Sequence, residues 1–253
     1  MILRRVIEHV KAQNWTAVAL DFVIVVFGVF IGIQVSNWNE AAAENKRAVR
    51  NLERIHDDLM LDQHILSLRM AFWRKVYDYG REALAFAEGR RKGDEDAWAL
   101  LLAFYQASQV SHFAKVDTTY EELKGAGQHG LIKDLGLRTE IARYYAGATR
   151  NLFMFRTLPA YRERVRAVTP FDVQVYIWEN CHQSGSDEQD LLDCPSPIDE
   201  ARANSILTTF LNDPVLINEL RFWMTELRVT LDVGENTMGD VQKTALAIEE
   251  SLP

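Results

Sequence analysis

WTAVALDFVIVVFGVFIGIQVSNW, residues 15–38, decides how the rest of the chain is read. From Phe22 to Ile33 every residue is apolar or glycine. Trp15 and Trp38 stand 23 positions apart, which in an α-helix is about 34 Å at 1.5 Å per residue. That separation matches a hydrocarbon core of about 30 Å with a Trp at each interface. A helix apolar all round is either a buried core helix or a membrane span, and the Trp bracketing both ends of this one favours the span. The stretch therefore reads as a single transmembrane helix.

The flanks fit that reading. Residues 1–14, MILRRVIEHVKAQN, place Ile2, Val6 and Val10 at helical spacing among Arg4, Arg5 and Lys11, as in a short amphipathic helix lying on the cytoplasmic surface. A cleaved signal peptide needs a small-residue site directly after its apolar run. Ala41, Ala42 and Ala43 come only after SNWNE, so a retained signal anchor is expected. Charge leaves the orientation open, because Arg4, Arg5 and Lys11 precede the span while Lys46, Arg47 and Arg50 follow it. The two cysteines break the tie. Cys181 and Cys194 bracket HQSGSDEQDLLD, a polar loop followed by Pro195 and Pro197, which reads as a disulfide-closed loop. Disulfides persist in the periplasm and not in the cytosol. The expected topology is N-terminus cytoplasmic and residues 39–253 periplasmic, in a bacterial inner membrane.

Beyond the span the pattern is helical. Val49, Leu52, Ile55, Leu59, Ile65, Leu68 and Phe72 recur at mostly three- and four-residue steps, and no Pro occurs before Pro159. The membrane helix is expected to run on into a stalk-like helix over residues 44–88. A helical bundle follows over about 94–253. GRRKGDED, residues 89–96, is a polar break, with Asp94 or Asp96 capping a helix through WALLLAFYQAS. Thr118 and Glu121 fit a capping box that starts a short helix. LRTEIARYYAGATRNLFMF continues as an amphipathic helix that Pro159 kinks or ends. FDVQVYIW, residues 171–178, alternates as a strand does, but its helical surroundings favour helix. Asp199–Leu211 and Pro214 to about Leu252 give two more, with Pro214 in a first turn. The predicted class is all-α, and 13 Gly with 6 Pro in 253 residues argue against a turn-rich β fold. A net charge of −8 provides no basic field for nucleic acid.

Two motifs carry a resemblance. IGIQVSNWNE, residues 31–40, and TYEELKGAGQHGLIKD, residues 119–134, resemble the DUF6090 family of bacterial membrane proteins. That family carries an acidic residue early in its span, here Asp21, and a Gly-rich run. An exit motif follows, here Gly32 to Glu40 and including Gln34. The resemblance implies the same single-pass topology and a helical domain. It implies no activity and no cofactor.

Asp21 lies six residues inside Trp15. An intramembrane carboxylate costs a few kcal/mol and usually serves a pathway or a partner. Asp21, Val25, Gly28, Gly32 and Ser36 share one helical face, and Gly28-Val-Phe-Ile-Gly32 is a GxxxG motif that lets two backbones approach closely. The start of the span, WTAVALDF, is also similar to that of flagellar stator B subunits, where a Trp stands six residues before an ion-carrying Asp-Phe. That similarity implies an ion-coupled role for Asp21. The competing readings are a packing contact and a shallow, hydrated carboxylate. Gln34 lies near the opposite interface.

Other motifs carry less. Gly125, Gly127 and Gly130 match GxGxxG but follow a helix and not a strand, so they read as a turn. Glu53/His56 and Glu179/His182 are E-x-x-H pairs of the kind that binds di-iron centres, yet Glu53 lies in a charged stretch and His182 beside the cysteine loop. No catalytic residue, metal site or cofactor is expected. The sequence predicts a membrane-anchored interaction or scaffold protein of the cell envelope. Its partners would be the lipid bilayer, a second copy, or other membrane-protein subunits. The alternative is an ion-coupled, stator-like accessory subunit using Asp21.

Overall fold

Helix α1 runs from Trp15 to Ala87. The absence of proline allows it, and Gly89 ends it. Gly89 takes φ +66°, its N–H bonds the Phe86 carbonyl, and the Arg90 N–H reaches back to the Ala85 carbonyl. That pair of bonds is a Schellman motif, which needs a left-handed residue where glycine is unstrained. The computed structural model describes residues 15–90, 96–151, 158–185 and 188–253. The amphipathic stretch 1–14, Asp94, residues 152–157 and the side chains of Trp15 and Asp21 lie outside the described residues.

The chain divides into two units, Met1–Asn51 and Leu52–Pro253. In the first, the described residues from Leu20 to Trp38 are all exposed. α1 is long and apolar enough to cross a membrane by length and composition.

Among the described residues the second unit is all-α apart from one small hairpin. Its later helices are α2 (Ala97–Gln106), α3 (Thr118–Gly125), α4 (Leu135–Asn151), α5 (Ala160–Val168), α6 (Phe171–Asn180), α7 (Glu200–Leu211) and α8 (Pro214–Ser251). A 3-10 turn, Gln128–Leu131, lies between α3 and α4. Caps explain most starts. Asp96 accepts from the Trp98 N–H at 2.9 Å, Asp199 from Arg202 at 2.8 Å, and Asp213 from Val215 and Leu216. Pro159 and Pro170 stand at the N-caps of α5 and α6. The segment 171–178 is helical, as its surroundings predicted.

Within this unit α1 does not stand free as a stalk. Leu52, Ile55, Leu59, Leu66, Met70, Trp73 and Val76 are buried, because α8 runs antiparallel along it. His56 meets Glu249, Arg74 meets Glu235, and Glu88 meets Arg221. Two buried clusters result. One joins Leu52, Ile55 and Leu59 to α3, α4 and the end of α8. The other joins α1 from Leu66 onward to α2, α5, α6, α7 and the first half of α8. α2 is apolar all round and buried at nine of its ten positions, as expected of a helix at the centre of a core.

Candidate functional site

Gly28 and Gly32 are one helical turn apart on α1, and a Cβ built on either meets nothing within 4 Å. Val25 beside them is 63% exposed and Trp38 76%; Gln34 is exposed as well. Asp21 belongs to the same helix, while its side chain lies outside the described residues. The first unit thus exposes a largely apolar stretch of helix, with open space at Gly28 and Gly32.

Cys181 and Cys194 form a disulfide with Cα atoms 5.3 Å apart. The loop they close contains a short strand pair that its polar sequence did not signal. β1 (His182–Ser184) pairs antiparallel with β2 (Gln189–Leu191), His182 opposite Leu191. Cys181 and Leu191 are buried in the larger core. Lys75 pairs with Asp190, and the Tyr79 hydroxyl donates to Asp193 at 2.7 Å, so two α1 side chains hold the hairpin.

A third feature escaped the sequence reading. Asp62 has no exposed surface. It accepts from the Val116 N–H at 2.6 Å and from the Tyr144 hydroxyl at 2.6 Å. Burial pushes its carboxyl up to about 6, against the pull of those two bonds and of Lys115. Burial raises the Tyr144 and Tyr145 hydroxyls too. One turn earlier, Asp58 accepts from the Thr119 N–H at 3.1 Å. The signal that would have revealed both is their i, i+4 spacing on the apolar row of α1. Asp62 takes the place in that row between Leu59 and Leu66.

The remaining motifs resolve simply. Gly125 ends α3, and Gly127 takes φ +66° ahead of the 3-10 turn, so the GxGxxG stretch is a turn between helices. His56 pairs with Glu249 at 2.9 Å while Glu53 is exposed. His182 stacks on Trp178 with ring centroids 4.3 Å apart. Among the described residues, no three His, Cys, Asp or Glu side chains gather to hold a metal ion. An apolar cleft of about 360 Å³ is lined by Leu158, Pro159, Tyr161, Phe222 and Trp223 together with Glu219 and Glu226.

Compared with known proteins, the chain matches no family model, no curated protein and no solved structure.

Proposed function

We propose that the chain is a membrane-anchored interaction or scaffold protein of the bacterial cell envelope, in which the Gly28/Gly32 face joins a second copy or another membrane subunit. The observation that carries this reading is the exposure of every described residue from Leu20 to Trp38. A contiguous apolar surface of that extent needs lipid or protein around it. Glycines one turn apart then let a second helix approach to backbone contact. The Cys181–Cys194 bridge supports a periplasmic location for the helical bundle that follows, since such bonds persist in oxidising compartments. The exit motif through Trp38 fits a DUF6090-like single-pass protein of the inner membrane.

The test is the assembly state of the full chain in mild detergent, measured by light scattering after size exclusion. A dimer or a larger complex is expected, and Gly28→Leu is expected to dissociate it while Val29→Leu leaves it intact. A wild-type monomer with no retained partner, indifferent to Gly28→Leu, would remove the basis of the proposal.

A further inference from the structure

Helix α5 carries three arginines with unlike surroundings. Arg164 is matched by an acid: its Nε and Nη2 bind the two carboxylate oxygens of Asp213 at 2.7 and 3.1 Å. Arg162 and Arg166, one turn apart on another side of the helix, have no such match. Among the described residues neither is in an ion pair; Arg162 feels the charge of Arg166 and the Tyr105 phenol, and Arg166 feels the Tyr105 phenol.

What they touch is neutral. Arg162 Nη1 donates to the Ser108 carbonyl at 2.7 Å and to Gln109 Oε1 at 3.3 Å. Arg166 Nη2 donates to the same Gln109 oxygen at 3.1 Å. The Arg166 guanidinium lies over the Tyr105 ring, 4.8 Å from its centroid, so its donors point sideways from the stack. Its Nε is buried and has no hydrogen-bond partner. A guanidinium carries five N–H donors, and among the described residues this pair makes only three side-chain hydrogen bonds. The setting is built and not fluid. Gln109 donates to Gln106, Gln106 donates to the Cys181 carbonyl at 2.8 Å, and both amides are buried.

Two half-buried, like-charged groups sharing one neutral acceptor is an unfavourable arrangement as it stands. Burial lowers the Arg162 pKa to about 10, with the charge of Arg166 adding to the effect, and burial lowers that of Arg166 also. Buried charges in proteins are paired. The arrangement fits an acceptor-only group with several oxygens and about two negative charges, which is the description of a phosphate. We propose that Arg162 and Arg166, bridged by Gln109, form a binding site for a phosphate dianion, either free or as the monoester headgroup of a lipid. The site uses no residue of the Gly28/Gly32 face, so its test does not depend on how that face assembles.

The experiment is titration calorimetry on the full chain in non-ionic detergent at neutral pH, with inorganic phosphate and with glycerol 3-phosphate. Saturable binding of both with similar affinity supports the site with free phosphate as its ligand. A preference of roughly tenfold or more for glycerol 3-phosphate supports it with the headgroup as ligand. Arg162→Met/Arg166→Met is expected to abolish binding, and Arg166→Lys to weaken it roughly tenfold, because an ammonium cannot bridge two oxygens. No binding by the wild type, or binding unchanged in the double Met variant, overturns the proposal. Should that variant not fold, phosphate must slow phenylglyoxal modification of Arg162 and Arg166 in the wild type, read by peptide mass spectrometry. Unprotected arginines overturn it equally.

Discussion

Asp62 and Tyr144 share a hydrogen bond of 2.6 Å at the junction of the two buried clusters, where Asp62 has no exposed surface. Leu59 before it belongs to one cluster and Leu66 after it to the other. The bond therefore ties α1 to α4 where apolar packing alone would leave a polar gap.

That carboxyl makes stability depend on pH. Burial raises it to about 6, whereas the unfolded chain titrates near 3.9. Between those values the folded state holds more protons than the unfolded one, so stability falls as pH rises. The favourable contribution is complete below about pH 4 and is lost as pH rises through about 6. Above that, the ionised group is a penalty of up to about 3 kcal/mol. Asp62→Asn keeps both bonds, because the Tyr144 hydroxyl accepts as well as donates. It is expected to raise the Tm at pH 7.5 by a few degrees and to give no gain at pH 4. Circular dichroism melts at the two pH values check this. An Asn variant less stable at both would refute it.

Gly80 on α1 and Met224 on α8 interlock in the same way as Gly234 on α8 and Met70 on α1. A Cβ on Gly80 would lie 2.0 Å from Met224 Sδ, and one on Gly234 would lie 3.3 Å from Met70 Cγ. Mid-helix Gly to Ala ordinarily gains about 0.5–1 kcal/mol. Here Gly80→Ala is expected to lose about 1–3 kcal/mol, since the methionine must leave its place. Met224→Ala in the same chain is expected to recover part of that loss. Denaturant unfolding of the two singles and the double reads the coupling, about 1 kcal/mol or more. Strict additivity would mean that the two helices do not meet there.

The Cys181–Cys194 bridge closes a loop with a sequence separation of 13, which the chain-entropy account values at about 3 kcal/mol. Cys181→Ser is expected to lower stability by about that amount. The wild-type chain in isolated envelopes is expected to take up maleimide only after reduction and unfolding. Labelling without a reductant would show free thiols and would take away the support for a periplasmic domain.

Much of this was legible in the sequence because helical periodicity and proline placement survive into the fold. The starts at Asp96, Asp199 and Pro214, and the helix over residues 171–178, follow from those two signals. What escaped were interactions between elements distant in sequence. The apolar row was followed from Leu59 to Ile65 and Leu68, but the buried row passes through Asp62 and Leu66. A charged residue in a core row is invisible to an apolar pattern. The polar loop hid a hairpin because its burial is supplied by α1. Arg162 and Arg166 look like any solvated pair until their lack of an acid partner is seen. Asp21, Gly28 and Gly32 stand out by spacing alone, and the fold adds only the open space around the glycines.

The start of α3 separates local from tertiary capping most sharply. Thr118 and Glu121 have the spacing of a capping box, yet Asp117 occupies the N-cap without a side-chain bond, and Thr118 is already inside the helix. Glu121 pairs with Lys124 instead. The orphan N–H of Thr119 is satisfied from across the fold by Asp58. A cap bond is worth about 1 kcal/mol, in a range of roughly 0.5–2. Asp58→Ala is expected to cost that much, and Thr118→Ala to stay within about 0.5 kcal/mol of the wild type. Hydrogen exchange sharpens the comparison, because the Thr119 amide should lose protection in the Asp58 variant and keep it in the Thr118 variant. The opposite ranking would restore the local box and remove Asp58 from its place in holding α3 to α1.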